Sequence, residues 1–186
     1  MPLLRLLLTV LIAAVLTASE TTVSVLATTD LHGNIYPYDY FTGKAAARGL
    51  AKAATLIRAE RRNNPNTLLL DCGDTLQGSP LEYVYQQFVR NGRLPLGLQF
   101  SGQPFPGDPM MLAMNALGYD AIVLGNHDFN FGLKNLDNAR QGARFPWLSA
   151  NTVAEPSSGR RAFAPYIIRT LGDVKVAVIG LTTPNI

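Results

Sequence analysis

Three short apolar segments, Thr22 to Thr28, Thr67 to Leu70 and Asp120 to Leu124, each run straight into a polar cluster, and segments with helical spacing separate them. The second is a continuous apolar run, the pattern of a strand buried on both faces, which requires helices covering a mostly parallel sheet. That pattern restricts the chain to an α/β arrangement, and in such folds ligands gather at the carboxyl ends of the strands. The three polar clusters are therefore expected to converge on one rim.

The intervening segments support this reading. From Ala45 to Arg62, Leu50, Ala53, Ala54 and Ile57 recur at helical spacing opposite Arg48, Lys52, Arg58 and Arg61, and Asn63-Asn64-Pro65-Asn66 closes the helix. Leu81 to Arg90 reads as a second helix and Asn91 to Gly107, rich in Gly and Pro, as a loop. Asp108 followed by Pro109 is an N-cap with proline at the first helical position, opening a helix that stops at Gly118. A weaker helix covers Leu133 to Gln141, a strand Trp147 to Ala150, and a final strand pair Tyr166 to Thr170 and Val174 to Leu181, joined at Leu171-Gly172-Asp173.

With 186 residues, 47% hydrophobic and 16% charged, the chain can bury one sizeable core. The net charge of +3 is spread along the sequence and favours a mildly basic surface over a nucleic-acid groove. Residues 1–20 differ in kind: Arg5 precedes the almost wholly apolar Leu6 to Leu16, and Thr17-Ala18-Ser19 supplies small residues for cleavage. This reads as a signal peptide, so the expected location is secreted or periplasmic with no stable membrane insertion after cleavage. The apolar run falls short of the ~20 residues a spanning helix needs. Cys72 is the only cysteine, which excludes an intrachain disulfide; directly after an apolar strand, it is expected to be a small packed residue and not a nucleophile.

The only two histidines, His32 and His127, both lie in strand-end clusters. Asp30 and His32 are two residues apart, so an extended backbone points both to one side, and a divalent metal accepts both donor types. Asp74, at the second strand end, has two carboxylate oxygens and can bridge two cations, while Gly73 and Gly78 suit a tightly turning backbone. Asn126 offers an amide oxygen to a hard or borderline cation, and the adjacent imidazole of His127 can face a substrate, donating a proton to a leaving oxygen or a hydrogen bond to a phosphoryl group. Each cluster has a plain structural reading by itself; their recurrence at successive strand ends favours the chemical one.

Asp30-Leu31-His32-Gly33-Asn34, Gly73-Asp74-Thr75-Leu76-Gln77-Gly78-Ser79-Pro80 and Gly125-Asn126-His127-Asp128-Phe129 closely resemble the motifs of the calcineurin-like metallophosphoesterases, over about Thr22 to Thr183. The second motif resembles the 5′-nucleotidase group, which includes the 2′,3′-cyclic-nucleotide 2′-phosphodiesterase/3′-nucleotidases. The resemblance implies a four-layer αββα sandwich, here incomplete at the C-terminus, with residues 21–186 forming the N-terminal part of the domain. It implies two divalent ions of the Mn, Zn, Co or Fe kind, a small nucleotide as substrate, Asp30 and His32 on the first ion, Asp74 bridging, Asn126 on the second, and His127 as catalytic histidine, with Asn126 and His127 also meeting substrate.

In 5′-nucleotidases the orienting residue three positions after that histidine is Asp; here it is Asn130, which cannot stabilise an imidazolium as a carboxylate does. With the Asp39-Tyr40-Phe41 segment, this points to the cyclic phosphodiesterase branch, with 5′-nucleotidase or nucleotide-sugar hydrolase as runner-up. Asp128 is expected to point elsewhere on an extended backbone. The family's downstream metal-binding histidines have no counterpart, so the chain is expected to be cut, and a catalytically incompetent fragment is the rival reading. A dinucleotide-binding domain or a P-loop lacks its glycine-rich signature here.

Overall fold

The computed structural model describes residues 20–97 and 105–184; the signal-peptide reading and the middle of the Asn91 to Gly107 loop lie outside the described residues. At the centre of the sheet is β4 (Thr67–Asp71), whose Leu68 and Leu69 are almost wholly removed from water. β1 (Ser24–Thr28) pairs with it in parallel from Ser24 opposite Thr67 to Thr28 opposite Asp71. On the other side run β5 (Ala121–Val123) and then β6 (Trp147–Leu148), both parallel, giving the order β1-β4-β5-β6. Because Thr28, Asp71 and Ile122 stand side by side, the segments that follow all leave the sheet at the same edge.

Helices α1 (Leu50–Asn63), α2 (Pro80–Asn91), α3 (Pro109–Leu117) and α4 (Leu133–Gly142) make the crossovers. Leu50, Ala54 and Ile57 of α1, Met110, Met111 and Met114 of α3, and Leu136 and Ala139 of α4 form one core with Leu69, Ile122 and Trp147 of the sheet. Truncating a side chain such as Leu69 there would cost about 2–5 kcal/mol. The caps of α3 match the sequence expectation: the Asp108 side chain accepts from Met111 N–H, and Gly118 ends the helix in the left-handed conformation.

A hairpin of β9 (Tyr166–Leu171) and β10 (Val174–Ile179) forms a separate two-stranded sheet, anchored where Arg169 donates to the Asp120 carboxylate and carbonyl. Among the described residues no helix is long and apolar enough to cross a membrane.

Three expectations need correction, and one hairpin was not foreseen. The first helix begins at Leu50 and not Ala45, because Lys44–Ala45 (β3) pairs with Tyr38–Asp39 (β2) and Gly49 precedes the helix at φ +89°. Two short strands, β7 (Val153–Glu155) and β8 (Arg160–Arg161), form a hairpin that too few apolar residues mark in the sequence. The strand expected over Trp147 to Ala150 stops at Leu148, where Ser149 turns into a hydroxyl network with Thr152 and Thr182. Cys72 is exposed, since the strand alternation buries its neighbour Asp71; partial burial, then the Asp71 and Asp30 carboxylates, push its thiol pKa up, which still argues against a nucleophile.

Beneath the first two strand-end loops lie Glu82, Gln86 and Asp108, each at most 2% exposed. Gln86 Nε2 donates to both carboxylates, at 3.2 Å and 3.4 Å. Burial and mutual repulsion raise the Glu82 pKa well above its ordinary value, and burial raises that of Asp108 to about 6. The folded chain therefore holds more protons here than the unfolded one between pH ~4 and the folded pKa values, so stability falls as pH rises through that window. Thermal midpoints measured from about pH 5 to 8 should decline with pH in the wild-type chain, and Glu82→Gln should shallow the decline; an unchanged slope would contradict the shared burial of charge.

Candidate metal centre

After β1 the chain continues alongside the loop that follows β4. Asp30 N–H donates to Gly73 O at 3.0 Å, His32 N–H to Asp74 O at 2.9 Å and Gly33 N–H to Thr75 O at 2.9 Å. This pairing holds Asp30, His32 and Asp74 at φ +52°, +48° and +58°, the only non-glycine residues with positive φ among those described. Such backbone costs on the order of 1–3 kcal/mol per residue and persists only where the surroundings impose it. Gly73, at φ +95°, lets the β4 loop touch the β5 loop: a Cβ there would collide with the Gly125 amide nitrogen.

Asp30, His32 and Asp74 each offer one ligand atom within 4.8 Å of the others, a group that can hold a metal ion. His32 Nε2 stands 3.7 Å from Asp30 Oδ1. Its Nδ1 lies 2.6 Å from the Gln77 carbonyl, which can only accept, so the proton sits on Nδ1 and Nε2 keeps a lone pair facing the carboxylates. Two carboxylates and a neutral imidazole suit a borderline divalent cation.

His127 opens a single 3₁₀ turn, His127–Phe129, and its amide donates to Asp74 Oδ1 at 2.8 Å. The His32 and His127 rings meet edge to face at 5.4 Å between centroids. Asn130 Nδ2 lies 2.8 Å from His127 Nδ1 and donates also to Gln77 Oε1 at 3.1 Å. With an amide N–H directed at Nδ1, neutral His127 carries its proton on Nε2, the opposite tautomer to His32. Gln77 thus reaches both rings, one through its carbonyl and one through Asn130. Asn126 is half-buried between Gly125 and His127, the two amides that bond Asp128 and Asp74; its side chain makes no capping bond to the turn.

The sequence reading missed Asp128. It is fully buried, and its carboxylate accepts from four amides: Gly125 at 2.9 Å, Asp74 at 3.1 Å, Thr75 at 2.8 Å and Leu76 at 3.0 Å. The expectation that Asp128 points away from the orienting position rested on extended backbone; the backbone here is instead a 3₁₀ turn, which directs the carboxylate inward. Its nearness to Asn126 and His127 was the available signal, but only the turn shows where it points. Burial raises its pKa while the amide bonds oppose the rise.

A second buried carboxylate, Asp71, is also raised, to about 6, chiefly by burial, and is held by the Thr28 and Thr75 hydroxyls. Replacing Asp128 with Asn brings an NH₂ group against amide donors. Asp128→Asn should lower unfolding free energy by about 2–4 kcal/mol in urea titrations. A change below about 0.5 kcal/mol would show that the four bonds do not brace the rim.

Residues 23–178 match the family described as Calcineurin-like phosphoesterase. The chain is 42% identical over 179 residues to the trifunctional nucleotide phosphoesterase protein YfkN of Bacillus subtilis, covering 91% of this chain and 12% of that protein. It is 35% identical over 191 residues to a 2′,3′-cyclic-nucleotide 2′-phosphodiesterase/3′-nucleotidase of Salmonella typhimurium, covering 97% of this chain and 27% of that protein. The crystal structure of YfkN from Bacillus subtilis superposes with a TM-score of 0.69 at 40% identity, over 87% of this chain and 48% of that one. The chain therefore spans less than half the length of the relatives it matches. Across its parallel sheet and the rim where Asp30, His32 and Asp74 meet, this chain belongs to the calcineurin-like phosphoesterase family.

Proposed function

We propose that this domain hydrolyses nucleotide phosphoesters with two divalent ions, acting most closely as a 2′,3′-cyclic-nucleotide 2′-phosphodiesterase/3′-nucleotidase. The observation that carries the proposal is the juxtaposition of the Asp30, His32 and Asp74 donor atoms with the His127 ring. The names of the Salmonella typhimurium and Bacillus subtilis relatives support the nucleotide class. Asn130, holding His127 through an amide and not a carboxylate, favours the cyclic branch over a 5′-nucleotidase.

Asp30 and His32 would hold the first ion, Asp74 would reach both, and Asn126 would serve the second; a pair of Mn, Zn, Co or Fe ions supplies Lewis acidity and a water acidified toward neutral pH. Left-handed backbone at Asp30, His32 and Asp74 fixes the donors before any ion arrives, so little ordering remains for binding. His127, with its N–H on Nε2, would give a hydrogen bond to a phosphoryl or leaving oxygen, and Asn130 keeps Nδ1 engaged so that this N–H stays free for it. Residues 21–186 are the N-terminal part of the catalytic domain, working outside the cytoplasm after loss of residues 1–20.

For the second ion the described residues supply only Asp74 and Asn126, a set too small for tight binding. The 186-residue chain should therefore take up about one equivalent of Mn or Zn and leave bis(p-nitrophenyl) phosphate intact. A longer parent polypeptide with further histidines should bind about two equivalents and hydrolyse it. In that parent His127→Ala should lower kcat about 10²–10⁴-fold with metal content unchanged. Undiminished turnover in His127→Ala, or hydrolysis that persists after chelation, would defeat the proposal.

A further inference from the structure

Gly33 directly follows His32, and its backbone rests on the first turn of α2. At φ +69°, a Cβ on Gly33 would collide with Ser79 Oγ and stand 2.6 Å from Glu82 Cγ. Ser79 Oγ donates to the Gly33 carbonyl at 2.9 Å and accepts from Glu82 N–H at 3.3 Å. The next residues are held at the start of α1, where Leu50 N–H donates to Asn34 O at 2.9 Å and Ala51 N–H to Ile35 O at 2.8 Å. The loop that carries His32 is thus seated on two helix N-termini, with the Glu82 side chain against its glycine.

Burying a carboxyl at that seat costs stability. Glu82 and Asp108 are both buried, and neither forms an ion pair among the described residues. Gln86 Nε2 serves both carboxylates, which leaves the buried Gln86 Oε1 without a hydrogen-bond partner. A leucine would fill the same space with no polar group to dehydrate. What the carboxylate adds is an acceptor: Glu82 Oε1 takes Met110 N–H at 3.3 Å, while Asp108 Oδ1 takes Met111 N–H at 3.0 Å. These are the first two free amides of α3, since Pro109 has none. Met110 and Met111 belong to the central core, so Glu82 links a core helix to the loop that holds His32.

We propose that Glu82 is a positioning residue for the metal centre: tied to the N-terminus of α3, it sets the seat of the Gly33 turn and with it the placing of His32 against Asp30 and Asp74. The proposal deepens the metal-ion reading and rests on it. The His32 side chain is gripped separately by the loop after β4. A Cβ on Gly78 would stand 2.7 Å from His32 Cβ, and the Gln77 carbonyl lies 2.6 Å from Nδ1. A Gly33 turn that sinks into space left by Glu82 therefore loosens the Nδ1 bond to Gln77 and shifts Nε2 relative to the two carboxylates.

Two measurements on the chain test this, one of them without metal. In the metal-free protein, long-range proton–nitrogen NMR should show His32 protonated on Nδ1 in the wild type and in Glu82→Gln, and a mixture of tautomers in Glu82→Ala. Titrated with Mn²⁺, Glu82→Ala should bind about 10-fold more weakly, the lower end of what outer partners of metal ligands contribute. Glu82→Gln, which keeps the shape and an oxygen for Met110 N–H, should match the wild type. Glu82→Asp keeps the charge but withdraws it by one methylene; it should behave as Glu82→Ala does, and it carries the test if the alanine variant does not fold. Far-UV circular dichroism and thermal midpoints report folding apart from either readout. A folded Glu82→Ala or Glu82→Asp with the wild-type tautomer or the wild-type Mn²⁺ affinity overturns the inference, as does an equal loss in Glu82→Gln. A wild-type chain that takes up no Mn²⁺ overturns the metal reading itself, which the metal-free tautomer measurement keeps distinct.

Discussion

The buried carboxylate of Asp128 is the interaction on which the geometry of this rim depends. It collects four amide donors, three from the loop after β4 and one from the loop after β5. A parallel sheet delivers its strand ends to one edge but does not fix how the loops turn beyond it. One acceptor with four donors sets the Asp74 backbone relative to His127, and His127 N–H then binds Asp74 Oδ1. The loop after β1 joins through its amide bonds to Gly73, Asp74 and Thr75. The three loops thus act as one unit, which explains how non-glycine residues are kept at positive φ where donor atoms must converge.

Opposite tautomers for two neighbouring imidazoles follow from the same construction. His32 meets a carbonyl and so presents a lone pair; His127 meets an amide N–H and so presents a proton. One ring is prepared to coordinate and the other to donate, although they stand 5.4 Å apart. Gln77 links the two arrangements, its carbonyl meeting His32 and its side chain meeting Asn130, so metal holding and hydrogen-bond donation share a single short loop.

Much of this was legible in the sequence because it rests on periodicity and on local chemistry. The continuous apolar run of Thr67 to Leu70 identified a buried parallel strand, and Asp108-Pro109 and Gly118 located both ends of α3. Asp30, His32, Asp74 and His127 were recognisable as polar groups at strand ends, and the structure brings them together. What sequence could not supply was backbone direction within the loops. Asp128 turns inward on a 3₁₀ turn, and Cys72 turns outward where the strand ends; a single residue's rotation decides each case. The role of Gln77 was equally hidden, since it works through its carbonyl as much as its side chain, and any residue type has a carbonyl.

With only two histidines in the chain, proton NMR resolves one imidazole Hε1 resonance for each, and a paramagnetic ion reports directly on their distance from the metal. Substoichiometric Mn²⁺ added to the chain should broaden both the His32 and the His127 resonances, with Asp74→Asn suppressing both effects. Broadening of only one resonance, or broadening that survives Asp74→Asn undiminished, would contradict the convergence of Asp30, His32, Asp74 and His127 around a bound cation.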